Sequence, residues 1–141
     1  MAAVSARVKL VEGIQMLGES GSGHTVVMDA AQSVGGRNMG IRPMELLLIG
    51  LGGCASIDVL NILRKGRHAI ADCVAEINGK RAETEPMVFT EITVHYTITG
   101  TSIPAKAVER AIKLSEDKYC SASAMLAKTA EIKSTYEIVE A

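Results

Sequence analysis

The chain has 141 residues, 48% of them apolar and 22% charged, with a net charge of −1. A single domain of this size buries about two-thirds of its unfolded surface, so it needs no disulfide or metal staple, and the composition excludes disorder. Near-neutral charge argues against nucleic acid or an anionic membrane as partner, and three tyrosines and one phenylalanine without tryptophan are too few for a base-stacking platform.

Met1 to Arg7 lacks a basic start followed by a sustained apolar run, so no secretory leader is expected. Val4, Ala6, Val8 and Leu10 alternate with Ser5, Arg7 and Lys9, which predicts a half-buried strand. Glu12-Gly13 breaks it, Ile14 to Leu17 resumes, Glu19 to Gly23 is turn, and His24 to Asp29 reads as a third strand. The opening is therefore an antiparallel meander. Ala30 to Arg42, with Gly35, Gly36 and Gly40, is a connector, plain or doubling as a lid. It carries no phosphate-binding fingerprint.

From Pro43 to about Arg64 the pattern is helical, and Pro43 to Asp58 is apolar nearly all round, which predicts a central, buried helix. Gly66 is the expected C′ residue, and Arg64, Lys65, Arg67 and His68 form a solvated basic terminus that complements the helix dipole. Gly inside a helix costs about 1 kcal/mol against Ala, so Gly50, Gly52 and Gly53 call for close approach by another helix or by a ligand at Cys54. The apolar run Leu46 to Ile57 is short for a bilayer span.

Cys73 to Arg81 has strand character, Glu83 to Pro86 is a turn, and Phe89 to Thr99 alternates with Ile92, Val94, Tyr96 and Ile98 on one side. A second helix starts near Pro104, with Val108, Ala111, Ile112, Ser115 and Tyr119 at helical spacing. Ser121 to Lys128 suggests a short third helix, and Ile132 to Val139 a last strand. The order βββ–α–ββ–α(α)–β indicates an α+β fold with antiparallel sheets, in one domain over 1–141.

Three cysteines without a CxxC suit free thiols in a reducing, cytoplasmic compartment. Cys54 lies within the long helix, and Asp58 follows one turn later on the same face, where its carboxylate disfavours a thiolate. Cys120 sits between two helices, where first-turn N–H groups help stabilise a thiolate. Two readings stay open: a pair of small buried side chains, or a reactive thiol pair. Cys73 reads as core. His24, His68 and His95 are not paired at ligand spacing with one another or with the cysteines, so a zinc site is a poor fit, and no GxSxG elbow is present.

Pro43-Met44-Glu45-Leu46, Gly52-Gly53-Cys54 with Asp58, and Tyr119-Cys120-Ser121 together resemble the OsmC/Ohr family, in particular its YhfA-like subgroup. The resemblance implies an α+β OsmC-like fold in an intertwined homodimer, with sheets wrapped around central cysteine-bearing helices. It also implies reduction of organic hydroperoxides or peroxide without metal or organic cofactor. The residue matching Cys54 attacks the peroxide and becomes a sulfenate, the one matching Cys120 closes a disulfide, and a dithiol reductant reopens it. In the family's peroxidases a Glu directly after the helix-starting Pro and an Arg from the N-terminal strand region hold the thiolate. Here Met44 follows Pro43, so Glu45, with Arg37, Arg42 or His24, are the candidates for that role. A rival reading is an OsmC-like module that binds an apolar small molecule or runs another thiol reaction.

Overall fold

The computed structural model describes residues 3–141. The chain divides into two compact units, Met1–Leu47 and Leu48–Ala141.

The first unit is a three-stranded antiparallel meander of β1 (Ala6–Glu12), β2 (Gln15–Ser20) and β3 (Thr25–Met28). The turn at Gly13 has φ of 63°, a left-handed conformation that glycine adopts without a Cβ penalty. The connector after β3 is built on Asp29, which is only 4% exposed. Its carboxylate accepts N–H bonds from Ala30 (2.8 Å), Arg37 (3.1 Å) and Met39 (3.0 Å). These bonds, the one from Ala30 foremost, hold the Asp29 carboxyl below its usual range against the opposing effect of burial. The strand pattern expected for β1 is present, but β1 is exposed along its whole length, with Val8 60% and Leu10 51% accessible.

The long helix α1 (Pro43–Lys65) starts at the end of the first unit and runs into the second. Glu45 reaches back to the Arg42 N–H at 2.9 Å, which is one half of a capping box. The helix ends in a Schellman turn, with the Arg67 N–H on the Arg64 carbonyl and the His68 N–H on Leu63. The left-handed C′ residue is Arg67, at φ 63°, and not the expected Gly66.

The second unit pairs α1 with a sheet ordered β4 (Ala69–Arg81), β5 (Phe89–Thr101), β6 (Glu131–Glu140). β4 and β5 are antiparallel, as expected. β5 and β6 run parallel, which corrects the expectation of wholly antiparallel sheets. Parallel neighbours need a crossover of a dozen residues or more. The chain between these strands supplies one with helix α2 (Ala105–Leu114), a π turn (Ser115–Tyr119) and helix α3 (Ser121–Leu126). The expected alternation in β5 places Ile92, Val94, Tyr96 and Ile98 at 2% exposure or less.

Among the described residues, every buried apolar side chain lies in this second unit. Each large aliphatic side chain fully removed from water contributes about 1.5–3 kcal/mol. α1 contributes the stripe Leu51, Ala55, Val59 and Leu63, at i, i+4 spacing and no more than 2% exposed. The helix is not buried all round: Ile49 is 56% and Ile57 61% exposed. Gly52 has its close neighbour, since a Cβ there would meet the Ile77 Cδ1 at 2.5 Å, whereas Gly50 and Gly53 face open space. At 23 residues α1 is long and apolar enough to cross a bilayer, longer than the Leu46–Ile57 run suggests. Its packed stripe is that of a core helix.

Candidate active site

Helical geometry puts Cys54 and Asp58 one above the other on α1. The second cysteine is brought to them by an irregularity. After Leu114 the helical path widens into a π turn, in which the Cys120 N–H reaches back five residues to the Ser115 carbonyl at 2.7 Å. Cys120 then leaves the helical conformation (φ −78°, ψ 102°) and becomes the N-cap of α3. Its sulfur accepts the Ser123 N–H at 3.4 Å, and its carbonyl accepts that of Ala124 at 3.1 Å. Cysteine thereby fills a capping position usually held by Ser, Thr, Asn or Asp.

The result is a compact three-atom cluster. The sulfurs of Cys54 and Cys120 and a carboxylate oxygen of Asp58 all lie within 4.8 Å of one another. Ser115, completely buried, donates its Oγ to Asp58 Oδ2 at 3.2 Å, which fixes the carboxylate and disperses its charge. All three cysteines are free. To bond, the two sulfurs have to close by less than about 3 Å, from within 4.8 Å to about 2.05 Å.

Burial pushes the Cys120 thiol above its ordinary range, while the Ser123 hydroxyl and N–H pull the other way; the Cys120 S–H, donating to the neighbouring Cys54 sulfur, adds to the rise. Cys120 is 3% exposed and Cys54 partly accessible, so the outer thiol meets solvent first. Beneath them the Tyr96 hydroxyl is raised far above its usual range, mainly by burial, and stays neutral. Cys73, half-buried on β4, is also raised by burial, with the Ser56 hydroxyl opposing.

Asp58 also lines a cavity of about 430 Å³ with Asn61, Ile62, Lys65, Arg110 and Tyr119. This is the size of a small-ligand site. Lys65, expected to be a plain solvated terminus residue, is part of this wall. Among the described residues neither Lys65 nor Arg110 is in an ion pair.

The remaining candidates lie in the first unit and are engaged there. Arg37 bonds the Gln15 Oε1 at 2.9 Å and pairs with Glu12 at 3.4 Å. Arg42 bonds the Gly40 carbonyl at 3.1 Å, and Glu45 serves as the helix cap. His24 stands at the turn before β3, where its N–H bonds the Ser20 hydroxyl at 3.1 Å. Sequence reasoning gave no role in the site to Ser115, Ser123 or the Lys65–Arg110 wall. The signal for Ser115 was its place on the apolar face of α2, continuing Val108, Ala111 and Ile112.

The family described as OsmC-like protein matches residues 35–135, and the paired cysteines lie within that span. The chain belongs to the OsmC-like family. It is 44% identical to Protein YhfA of Escherichia coli K12 over 138 residues, covering 98% of this chain and 100% of the relative. The OsmC-like fold is shared with a hypothetical protein from Aquifex aeolicus VF5, at 31% identity and a TM-score of 0.88, covering 100% of this chain and 99% of the other. It is also shared with an organic hydroperoxide resistance protein OsmC from Legionella pneumophila, at 14% identity and a TM-score of 0.74, covering 97% and 98%. The OsmC-like α+β architecture expected from the cysteine motifs is therefore the observed one.

Proposed function

We propose that this OsmC-like protein is a two-cysteine thiol peroxidase that reduces organic hydroperoxides or peroxide in a reducing, cytoplasmic setting. The observation that carries the reading is the approach of the Cys54 and Cys120 sulfurs to within 4.8 Å. The name of the Legionella relative, a hydroperoxide resistance protein, points to the same substrate class.

In this reading the Cys54 thiolate attacks one peroxide oxygen, the O–O bond breaks, and the departing alkoxide takes a proton to leave as alcohol. Cys54 is then a sulfenic acid. The Cys120 thiolate attacks the Cys54 sulfur, hydroxide leaves and is protonated to water, and the disulfide forms. A dithiol reductant returns two electrons and two protons through a mixed disulfide. Ser123 N–H and hydroxyl bonds support the Cys120 thiolate against burial. Ser115 disperses the Asp58 charge that opposes both thiolates.

A homodimer fits this function, since the exposed apolar face of α1 (Ile49, Ile57) and of β1 (Val8, Leu10, Val11) would be covered by a second copy. One observation favours the rival, a small-molecule-binding module: Arg37, Arg42 and Glu45 all have structural partners, so none is spare to activate Cys54.

The test is consumption of cumene hydroperoxide and hydrogen peroxide with dithiothreitol, in wild type and Cys54→Ser. The peroxidase reading expects turnover in wild type and loss of it in the variant, with a Cys54–Cys120 disulfide seen by mass spectrometry. Equal background rates in both, together with a co-purified apolar ligand, would replace it with the binding module.

A further inference from the structure

One feature of the cluster is unfavourable to a peroxidatic pair. A carboxylate beside two sulfurs brings a third negative charge to any pair of thiolates formed there, and like charges in a half-buried site repel. Yet Asp58 is held there by a completely buried serine. A divalent cation turns that arrangement from repulsive to attractive, since its two positive charges offset most of the charge of the two thiolates and the carboxylate.

We propose that the reduced Cys54–Cys120 pair and Asp58 form a binding site for a thiophilic divalent cation of the zinc class. The donor set is two sulfurs and one carboxylate oxygen, and such three-ligand sites keep a fourth, open position. Size agrees with this. Tetrahedral zinc, with Zn–S near 2.3 Å and Zn–O near 2.0–2.2 Å, sets its ligand atoms about 3.5–3.8 Å apart. The three atoms here lie within 4.8 Å of one another, so no more than about 1.3 Å of closure on the ion is needed. Cys54 and Asp58 share one helical face at i, i+4, the spacing by which helices commonly present paired ligands.

The supporting shell is also present. Ser115 orients the Asp58 carboxylate, and the Ser123 N–H orients the Cys120 sulfur. The cavity that Asp58 lines gives the ion an entry path. On binding, the two thiol protons leave to solvent, and two sulfur–metal bonds and one oxygen–metal bond form with no change of oxidation state. A hydroperoxide that takes two electrons from the pair, and leaves with two protons as alcohol and water, forms the Cys54–Cys120 disulfide, removes both sulfur ligands and releases the ion. The inference does not rest on peroxidase activity: a protein without peroxide turnover would still bind the metal.

The experiment uses the full chain, reduced and freed of metal, titrated with Zn²⁺ against a chromophoric chelator and separately with Co²⁺ by optical spectroscopy. The expected result is one ion per chain, with a near-ultraviolet sulfur-to-cobalt charge-transfer band. Cys54→Ser and Cys120→Ser lose the band, and Asp58→Asn weakens binding at least about tenfold. Zn²⁺ is also expected to protect Cys54 and Cys120, but not Cys73, from alkylation. A missing band, or Cys120→Ser binding as tightly as wild type, would overturn the proposal. If circular dichroism shows Cys120→Ser to be unfolded, the accessible Cys54→Ser variant decides in the same way.

Discussion

Oxidation itself offers a thermodynamic test of the two-cysteine geometry. A Cys54–Cys120 disulfide would tie α1 to the N-cap of α3 and close a loop of about 67 residues, for which the chain-entropy relation gives about 4 kcal/mol of stabilisation. Two effects oppose it. The sulfurs must close from within 4.8 Å, which rotates both side chains. The Ser123 N–H bond to the Cys120 sulfur weakens, at a cost of about 0.5–1.5 kcal/mol. The net expectation is that the oxidised protein is more stable than the reduced one by about 2–3 kcal/mol. With a urea m-value near 2 kcal/mol/M, the unfolding midpoint rises by about 1–1.5 M. The assay is urea unfolding followed by far-ultraviolet circular dichroism, on peroxide-treated and dithiothreitol-reduced protein, both in a Cys73→Ala background to prevent mispairing. An oxidised midpoint at or below the reduced one would refute the argument, because it would mean that the backbone must deform to let the sulfurs meet.

Replacing Arg67 with Gly relieves a left-handed residue of about 1–2 kcal/mol of strain and gives back about 0.4–1 kcal/mol through a freer unfolded chain, so thermal unfolding should show a net gain of about 0.5–1 kcal/mol. Ser115→Ala removes the donor to Asp58; because Asp58 borders a cavity that admits water, the loss by urea unfolding should stay near 1 kcal/mol rather than reach the about 3 kcal/mol of a sealed charged pair. The lowered Asp29 carboxyl adds stability that is fully present above its unfolded value of 3.8 and is lost as pH falls through the lower folded value; Asp29→Asn should flatten that acid limb of the stability profile. The raised Cys120 thiol leaves less thiolate at neutral pH than a free cysteine has, so in a Cys54→Ser, Cys73→Ala protein the alkylation of Cys120 near pH 7.5 should be slower than that of a free cysteine and should climb toward alkaline pH; a rate equal to the free thiol's would contradict this.

Sequence pattern carried far where one element answers to one neighbour. The alternation in β5 marked Ile92, Val94, Tyr96 and Ile98, and all four are buried, because a strand packed on one face obeys a period of two. The direction of β6 was not legible in the same way, since Ile132 to Val139 alternates whether the strand runs parallel or antiparallel. α1 read as buried all round because its hydropathy reports the apolar surface available, not the surface one chain covers. Within the site, Cys54 and Asp58 could be placed on one face from their spacing alone. Their meeting with Cys120 came only through the resemblance, because no local rule encodes a π turn or the approach of two distant segments. The left-handed Arg67 escaped for a related reason: a glycine stood next to it, and the helix ran one residue past the expected stop.

The π turn at Ser115–Tyr119 also constrains how the chain can vary in length. One residue adds about 100° of rotation to a helix, so a deletion there would turn everything that follows by more than a quarter circle. Cys120 would then face away from Cys54 even if every side chain were kept. The link between β4 and β5 has no such phase to keep: residues inserted between Arg81 and Phe89 would lengthen a surface loop and leave both cysteines where they are. The chemistry of this fold is therefore set by a count of residues over one short segment, as much as by which residues they are.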